Sequence, residues 1–253
     1  KNREDGDMKT LIIDIESAPH LAWCWGLWDQ RIGLNQLVKT TDVLCWAAKW
    51  HGGKKIYFKS SYEHGHEEMV AEAHRLMDEA DAIVHYNGVA FDMKHLRREF
   101  LLADLPPPSE HKDIDLLKTV RQQFKFASNK LDHVATELGL GSKVSHSGFE
   151  LWVGAMQGDK ASLKKMREYN CHDVVLTEQL YDRLKPWLKG PPNVSVFNGR
   201  PDVCPRCGAE GPFQARGFKT TQTMRYRRWQ CNTCGAYFRS RKAEPGDRPE
   251  YVN

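Results

Sequence analysis

Lys9 to Glu16 reads KTLIIDIE. Leu11, Ile12, Ile13 and Ile15 make it apolar on both faces of an extended chain, as expected of a central strand covered on both sides. Alternation with a period of two then points Asp14 and Glu16 to one face where the strand ends. Two carboxylates at the edge of a core are costly unless they are paired or bind a cation. The plain alternative is that they emerge into water with the end of the strand.

Outward from this strand, Val43 to Trp50 and Lys55 to Lys59 read as two more strands, separated by a turn at Gly52 and Gly53. A helix is expected over about His66 to Ala80, and a strand over Ala82 to Tyr86. Past the Asn87 and Gly88 turn a helix runs from Met93 to Ala103, ended by Pro106, Pro107 and Pro108. Ile114 to Phe124, Lys130 to Leu138 and Phe149 to Gln157 read as short, mostly helical elements, and a long helix covers Lys160 to Leu184. This order argues for an α/β fold, a mixed sheet with helices around it. Pro186, Gly190, Pro191 and Pro192 mark a linker. The expected divisions are a tail (1–8), a main domain (9–188), a linker (189–201), a small module (202–242) and a C-terminal tail (243–253).

Two further acidic positions join the first pair. Asp92 stands where a strand gives way to a turn and a helix, a place that also suits an N-cap. Tyr169 and Asp173 are four apart and share one helix face. Met166, Asn170, Asp173, Thr177, Leu180, Leu184 and Trp187 form a stripe at helical spacing, so Asp173 points toward the domain. A cation shared with the strand carboxylates accounts for an acid in that stripe.

A chain of 253 residues, 40% of them apolar, has room for a domain of about 150 to 200 residues and a small appendage. The first residues lack the apolar segment of a signal peptide, and no stretch is long and apolar enough to span a membrane. The expectation is a soluble, cytoplasmic protein of a prokaryotic or phage-infected cell, with no membrane partner and a monomeric state. Cys24, Cys45 and Cys171 are scattered and read as small buried hydrophobes. Residues 200–253 hold eleven Lys and Arg against five Asp and Glu, a charge of +6, which leaves 26 against 28, or −2, for residues 1–199. A basic module beside an acidic domain suits a polyanion.

That module carries Cys204-Pro-Arg-Cys207-Gly and Cys231-Asn-Thr-Cys234-Gly, with 23 residues between Cys207 and Cys231. Four thiolates close a tetrahedral Zn²⁺ site with no open position, so the metal is structural and folds a module too small to fold alone. Arg216, Lys219, Arg225, Arg227 and Arg228 between the knuckles are interleaved with Phe218, Tyr226 and Trp229. Such mixing suits phosphate contacts and base stacking; a solvated face or a protein-docking ribbon is the alternative.

Asp14-x-Glu16, Tyr86-Asn87-x-x-x-Phe91-Asp92 and Tyr169-x-x-x-Asp173, in this order, resemble the three exonuclease motifs of the DEDDy branch of the ribonuclease H-like superfamily. The likeness is strongest to the proofreading domains of family B DNA polymerases and spans about residues 9 to 185. The chain looks like a free-standing exonuclease of the kind found in phages and prokaryotes. The resemblance implies a ribonuclease H-like, five-stranded mixed sheet and two Mg²⁺ or Mn²⁺ ions. Asp14 would bridge the ions, Glu16 and Asp173 would support the water-activating one, and Asp92 would help hold the other. It also implies that Tyr169 orients the attacking water and that Asn87 and Phe91 contact the terminal nucleotide. Phe91 suits a core aromatic equally well. Asp115, a candidate match to an acidic family position, reads as structural, and Trp23, Trp25 and Trp28 read as core or loop packing rather than a stacking surface.

The function implied is hydrolysis of single-stranded DNA from its 3′ end by a two-metal mechanism, with the zinc ribbon gripping the nucleic acid. The rivals are an RNase D-like 3′–5′ exoribonuclease, a structure-specific endonuclease on the same fold, and a recruitment module whose nuclease domain is inactive.

Overall fold

The strand quoted above forms β1 (Thr10–Ser17) of the computed structural model, which describes residue 6, residues 8–145 and residues 147–246. A short hairpin of β2 (Leu21–Ala22) and β3 (Leu37–Lys39) follows, then β4 (Val43–Trp50) and β5 (Ile56–Ser60). Helices α1 (Ser61–His64) and α2 (His66–Glu79) lead to β6 (Ala82–His85), α3 (Asp92–Leu102) and β7 (Lys112–Asp115). Helices α4 (Leu116–Gln123), α5 (Leu131–Glu137), α6 (Phe149–Met156) and α7 (Lys160–Leu184) follow.

The five main strands lie in the order β5-β4-β1-β6-β7, with β1 antiparallel to β4 and parallel to β6. This is a mixed sheet flanked by helices. Leu11, Ile13 and Ile15 of β1 pack with Trp46 and with Met69, Val70, Ala73, Leu76 and Met77 of α2. The spacing of those α2 residues makes one apolar face. Trp46 is fully buried, and its Nε1 donates to the Met69 carbonyl at 2.8 Å, so its polar atom is satisfied inside the core. On the opposite face, Cys45 packs with Leu151, Ala155 and Met166 of α6 and α7. Asp14 and Glu16 belong to that second face, because the pleat alternates and Glu16 is in register with Cys45.

Four local expectations are overturned. Ile114 and Asp115 end a strand and do not begin the helix: Lys112–Asp115 pairs in parallel with Ala82–His85 at the sheet's edge, and its charged residues hide the strand signal. Trp23, Trp25 and Trp28 do not pack into a core; they stand exposed on the β2–β3 hairpin, and so does Cys24. A hairpin this short has no second layer to cover it. Trp187 falls outside the buried α7 stripe, because the α-helix stops at Leu184, before Pro186. Among the described residues no helix is long and apolar enough to cross a membrane.

Contacts separate Lys9–Tyr181 from the chain that follows Tyr181. That second unit contains α8 (Val194–Phe197) and an antiparallel sheet of β8 (Gln214–Thr220), β9 (Arg225–Gln230) and β10 (Tyr237–Arg239), in the order β10-β9-β8. Every residue of β8 is exposed, so this sheet builds almost no core of its own.

Trp46→Ala should lower unfolding free energy by about 3–5 kcal/mol through loss of packing and of the Met69 bond. Urea denaturation followed by circular dichroism would measure it, and a loss below about 1 kcal/mol would mean that this core is not the one described.

Candidate active site

The sheet brings the acidic residues together at the carboxyl end of β1. Asn170 of α7 donates from Nδ2 to Asp14 Oδ2 at 2.7 Å and to the Asp14 carbonyl at 3.2 Å, tying helix to strand. Asp92 Oδ1 accepts from the Ile15 backbone N–H at 3.1 Å. The carboxylate of Asp92 thus binds β1 rather than capping its own helix, whose N-cap position is Phe91. Asp173 is buried one turn beyond Tyr169 and Asn170 on the face that α7 turns inward.

These four carboxyls are held in an environment hostile to their charge. Burial, then Asp92, Glu16 and Asp173, raise the Asp14 carboxyl well above the usual range. Glu16 is pushed up to about 8, by burial first and then by Asp173 and Asp92, with Lys143 opposing. Burial lifts Asp92 to about 6 against the pull of His85, and burial also raises Asp173 against Lys143. Repulsion and desolvation of this kind are what bound cations relieve.

Lys143 is the site residue that sequence reasoning missed. Its Nζ donates to Tyr169 Oη at 2.8 Å and to Asp173 Oδ2, and burial's tendency to lower its pKa is outweighed by that carboxylate. The ammonium places a positive charge against Asp173 Oδ2. Among the described residues, buried Asp173 Oδ1 has no hydrogen-bond partner, an acceptor left over for a ligand. Tyr169 is pushed up to about 12 by burial and by Asp173, so its phenol is neutral near pH 7. Hard oxygen donors, raised pKa values and an orphaned acceptor together fit Mg²⁺ or Mn²⁺. The carboxylates stand more loosely than a filled site would require: among the described residues only the cysteine quartet brings three or more ligand atoms within 4.8 Å of one another.

The turn that delivers Asn87, Phe91 and Asp92 is held from below. His85 is fully buried; its Nδ1 accepts from the Gly88 N–H at 3.1 Å, and its Nε2 lies 3.5 Å from Asp113 Oδ1. A Cβ on Gly88 would come within 2.4 Å of the His85 ring, so this position admits only glycine. Asp115 accepts from the N–H groups of Asn87 at 3.0 Å and Leu117 at 3.1 Å, as a structural residue. Asn87 stands at φ 70° and is exposed, and the Phe91 ring is partly exposed and lies against His95 with centroids 4.6 Å apart and the rings tilted by 58°.

In the second unit each Cys-x-x-Cys-Gly knuckle closes on a glycine at positive φ, Gly208 and Gly235. Cys204, Cys207, Cys231 and Cys234 converge as a group that can hold a metal ion, and their thiolate chemistry fits Zn²⁺. The basic residues cluster on the adjoining sheet. The guanidinium groups of Arg225 and Arg227 lie over Phe218 at 4.4 and 4.9 Å, and that of Arg228 over Tyr237 at 5.6 Å. Arg216 bonds Gln214 and Gln230 and keeps an exposed side, and Lys219, Arg228 and Arg239 line an open cleft of about 640 Å³ with Tyr237 and Phe238.

A pH dependence follows from the acidic cluster. A carboxyl whose folded pKa is raised contributes its stability below the unfolded pKa and loses it as pH climbs through the folded value. For Glu16 that window runs from 4.5 to about 8. In buffer free of Mg²⁺ and Mn²⁺ the melting temperature should fall by about 4 °C or more across it, and the fall should shrink in Glu16→Gln. A melting temperature flat across this window in wild type would contradict the assigned electrostatics.

Residues 33–185 match the family model of the RNase_H superfamily. No curated protein sequence matches the chain. Among solved structures, the family B DNA polymerase from the hyperthermophilic archaeon Pyrobaculum calidifontis is similar in fold, with a TM-score of 0.54 and 18% identity. The alignment covers 72% of this chain and 25% of the polymerase, so the chain spans about a quarter of that protein's length. With the mixed five-stranded sheet, its flanking helices and a family match over more than half its length, the chain belongs to the RNase_H superfamily.

Proposed function

We propose that this protein is a metal-dependent 3′–5′ exonuclease that hydrolyses phosphodiester bonds of single-stranded DNA. The observation that carries the reading is the gathering of Asp14, Glu16, Asp92 and Asp173 around the carboxyl end of β1, with all four pKa values raised and Asp173 Oδ1 unpartnered. The superfamily match supports a nuclease, and the ordered motifs support the exonuclease branch.

Asp14, Glu16, Asp92 and Asp173 would hold two Mg²⁺ or Mn²⁺ ions. Such ions supply activation of water and neutralisation of charge at the scissile phosphate. Tyr169, neutral because burial raises its pKa, positions the attacking water and does not act as its base. Lys143 holds Tyr169 and Asp173 in one arrangement and brings a positive charge toward the phosphate. Asn170 fixes the Asp14 carboxylate, and the His85–Gly88 contact fixes the turn from which Asn87 and Phe91 reach the terminal nucleotide. On the ribbon, Arg216, Lys219, Arg225, Arg227 and Arg228 grip the strand through phosphate contacts and stacking, on a module folded by Zn²⁺.

Matched 5′-labelled single-stranded DNA and RNA oligonucleotides, incubated with Mg²⁺, Mn²⁺ or EDTA, test this directly. The expected result is a metal-dependent ladder on DNA. Asp14→Ala should reduce it by about a thousandfold or more, about 4 kcal/mol of transition-state stabilisation, while leaving strand binding in place. A ladder on RNA alone would make the protein an exoribonuclease, and tight binding without cleavage would make it a recruitment module.

A further inference from the structure

Between β1 and β4 the chain leaves the sheet as an apolar arm. Its base is well fastened. The Ala18 N–H donates to the Asp42 carbonyl at 2.8 Å, Thr41 Oγ1 donates to the Ala18 carbonyl at 2.6 Å, and Arg98 of α3 donates to the Thr41 carbonyl at 3.0 Å. Its interior is bonded too: the Trp23 N–H donates to the Gln36 carbonyl at 2.9 Å, and Gln36 Nε2 returns a bond to the Trp23 carbonyl at 3.0 Å. This fastened arm presents Trp23, Trp25 and Trp28 to water at 76%, 99% and 84% exposure, with Leu27 and Leu34 beside them. So much exposed aromatic surface on one short segment marks a binding surface.

Position and charge narrow the occupant. Trp23 lies seven residues after Glu16, a reach of at most about 25 Å from the carboxylate cluster. The arm's base is anchored to α3, the helix that begins with Asp92, and the Phe91–His95 ring pair at 4.6 Å lies at that helix's start. His20, at the foot of the arm, is close enough to His95 to act on it electrostatically. Aromatic groups thus continue from the start of α3 toward the arm. Residues 17–42 contain Asp29 and Asp42 against Arg31 and Lys39, an even balance, so the arm has no net charge with which to hold phosphates or an acidic peptide. Flat, uncharged ring faces beside a site that holds a strand end suit the bases of that strand.

We propose that Trp23, Trp25 and Trp28 form a stacking platform for the unpaired bases upstream of the 3′ end held at the carboxylates, an inference that rests on the nuclease reading above. The platform sets how long a strand the enzyme grips, separately from the chemistry at the terminal bond.

The test compares the zinc-loaded 253-residue chain with its triple variant Trp23→Ala, Trp25→Ala, Trp28→Ala. All three positions are exposed, and a melting curve confirms that the variant folds. On oligothymidylates from about two to about fifteen nucleotides, the ratio of variant to wild-type KM should grow with length to about tenfold, with kcat within about twofold. In buffer free of Mg²⁺ and Mn²⁺, oligothymidylate should quench tryptophan fluorescence of zinc-loaded Asp14→Ala protein, and adding the triple substitution should remove most of that quench. Equal KM values at every length, or a quench that survives the triple substitution, would overturn the platform while leaving the nuclease intact. A triple variant that turns a dimer into a monomer with KM unchanged would also overturn it and make the arm a self-docking face. Absence of cleavage by wild type on any strand would instead remove the nuclease reading; quenching would then still decide whether the arm binds bases.

Discussion

Four acids brought together in a partly buried place is the constraint on which the rest of the domain turns. Desolvation and mutual repulsion raise all four pKa values, and the cluster persists because covalently distant elements hold it. β1 carries Asp14 and Glu16, a backbone N–H of the same strand anchors Asp92, and α7 brings Asp173 together with Asn170. The hydrophobic face formed with α2 supplies the stability that this cluster consumes. Lys143 offsets part of the repulsion from inside the chain, at Asp173 and Tyr169, and divalent cations held by these carboxylates would offset the rest.

Much of this was legible because it depends on periodicity. A period of two puts Asp14 and Glu16 on one side of β1, and a spacing of four puts Tyr169 and Asp173 on one side of α7. Both patterns carry the same information in the sequence as in the fold, and α7 itself runs over the expected Lys160–Leu184. Cys204, Cys207, Cys231 and Cys234 were equally legible, since pairs at close spacing specify a metal geometry in themselves.

What escaped the sequence depends on contacts between distant segments. Lys143 reaches Asp173 from 30 positions away, through a loop with no periodic signal to orient it. Residues 112–115 hold a single apolar side chain, Ile114, among three charged ones, too short and too polar to separate from the helix that follows at Leu116. The tryptophans of the arm are hydrophobic enough to expect burial, yet whether a hairpin lies against the sheet or projects from it is decided by the surrounding layers. His85 shows the same limit. Its burial beneath Gly88 is a packing relation, invisible until the turn is built.

The central claim, that the carboxylates form a cation site, is most directly tested by titration calorimetry of zinc-loaded protein with Mn²⁺ near pH 7, repeated in two buffers of different ionisation enthalpy. Because the raised pKa values leave protons on the cluster, Mn²⁺ should bind with proton release, seen as a buffer-dependent heat, and Asp173→Asn should weaken that binding about tenfold or more. Mn²⁺ binding that is absent in wild type, or unchanged by Asp173→Asn and without proton release, would contradict it.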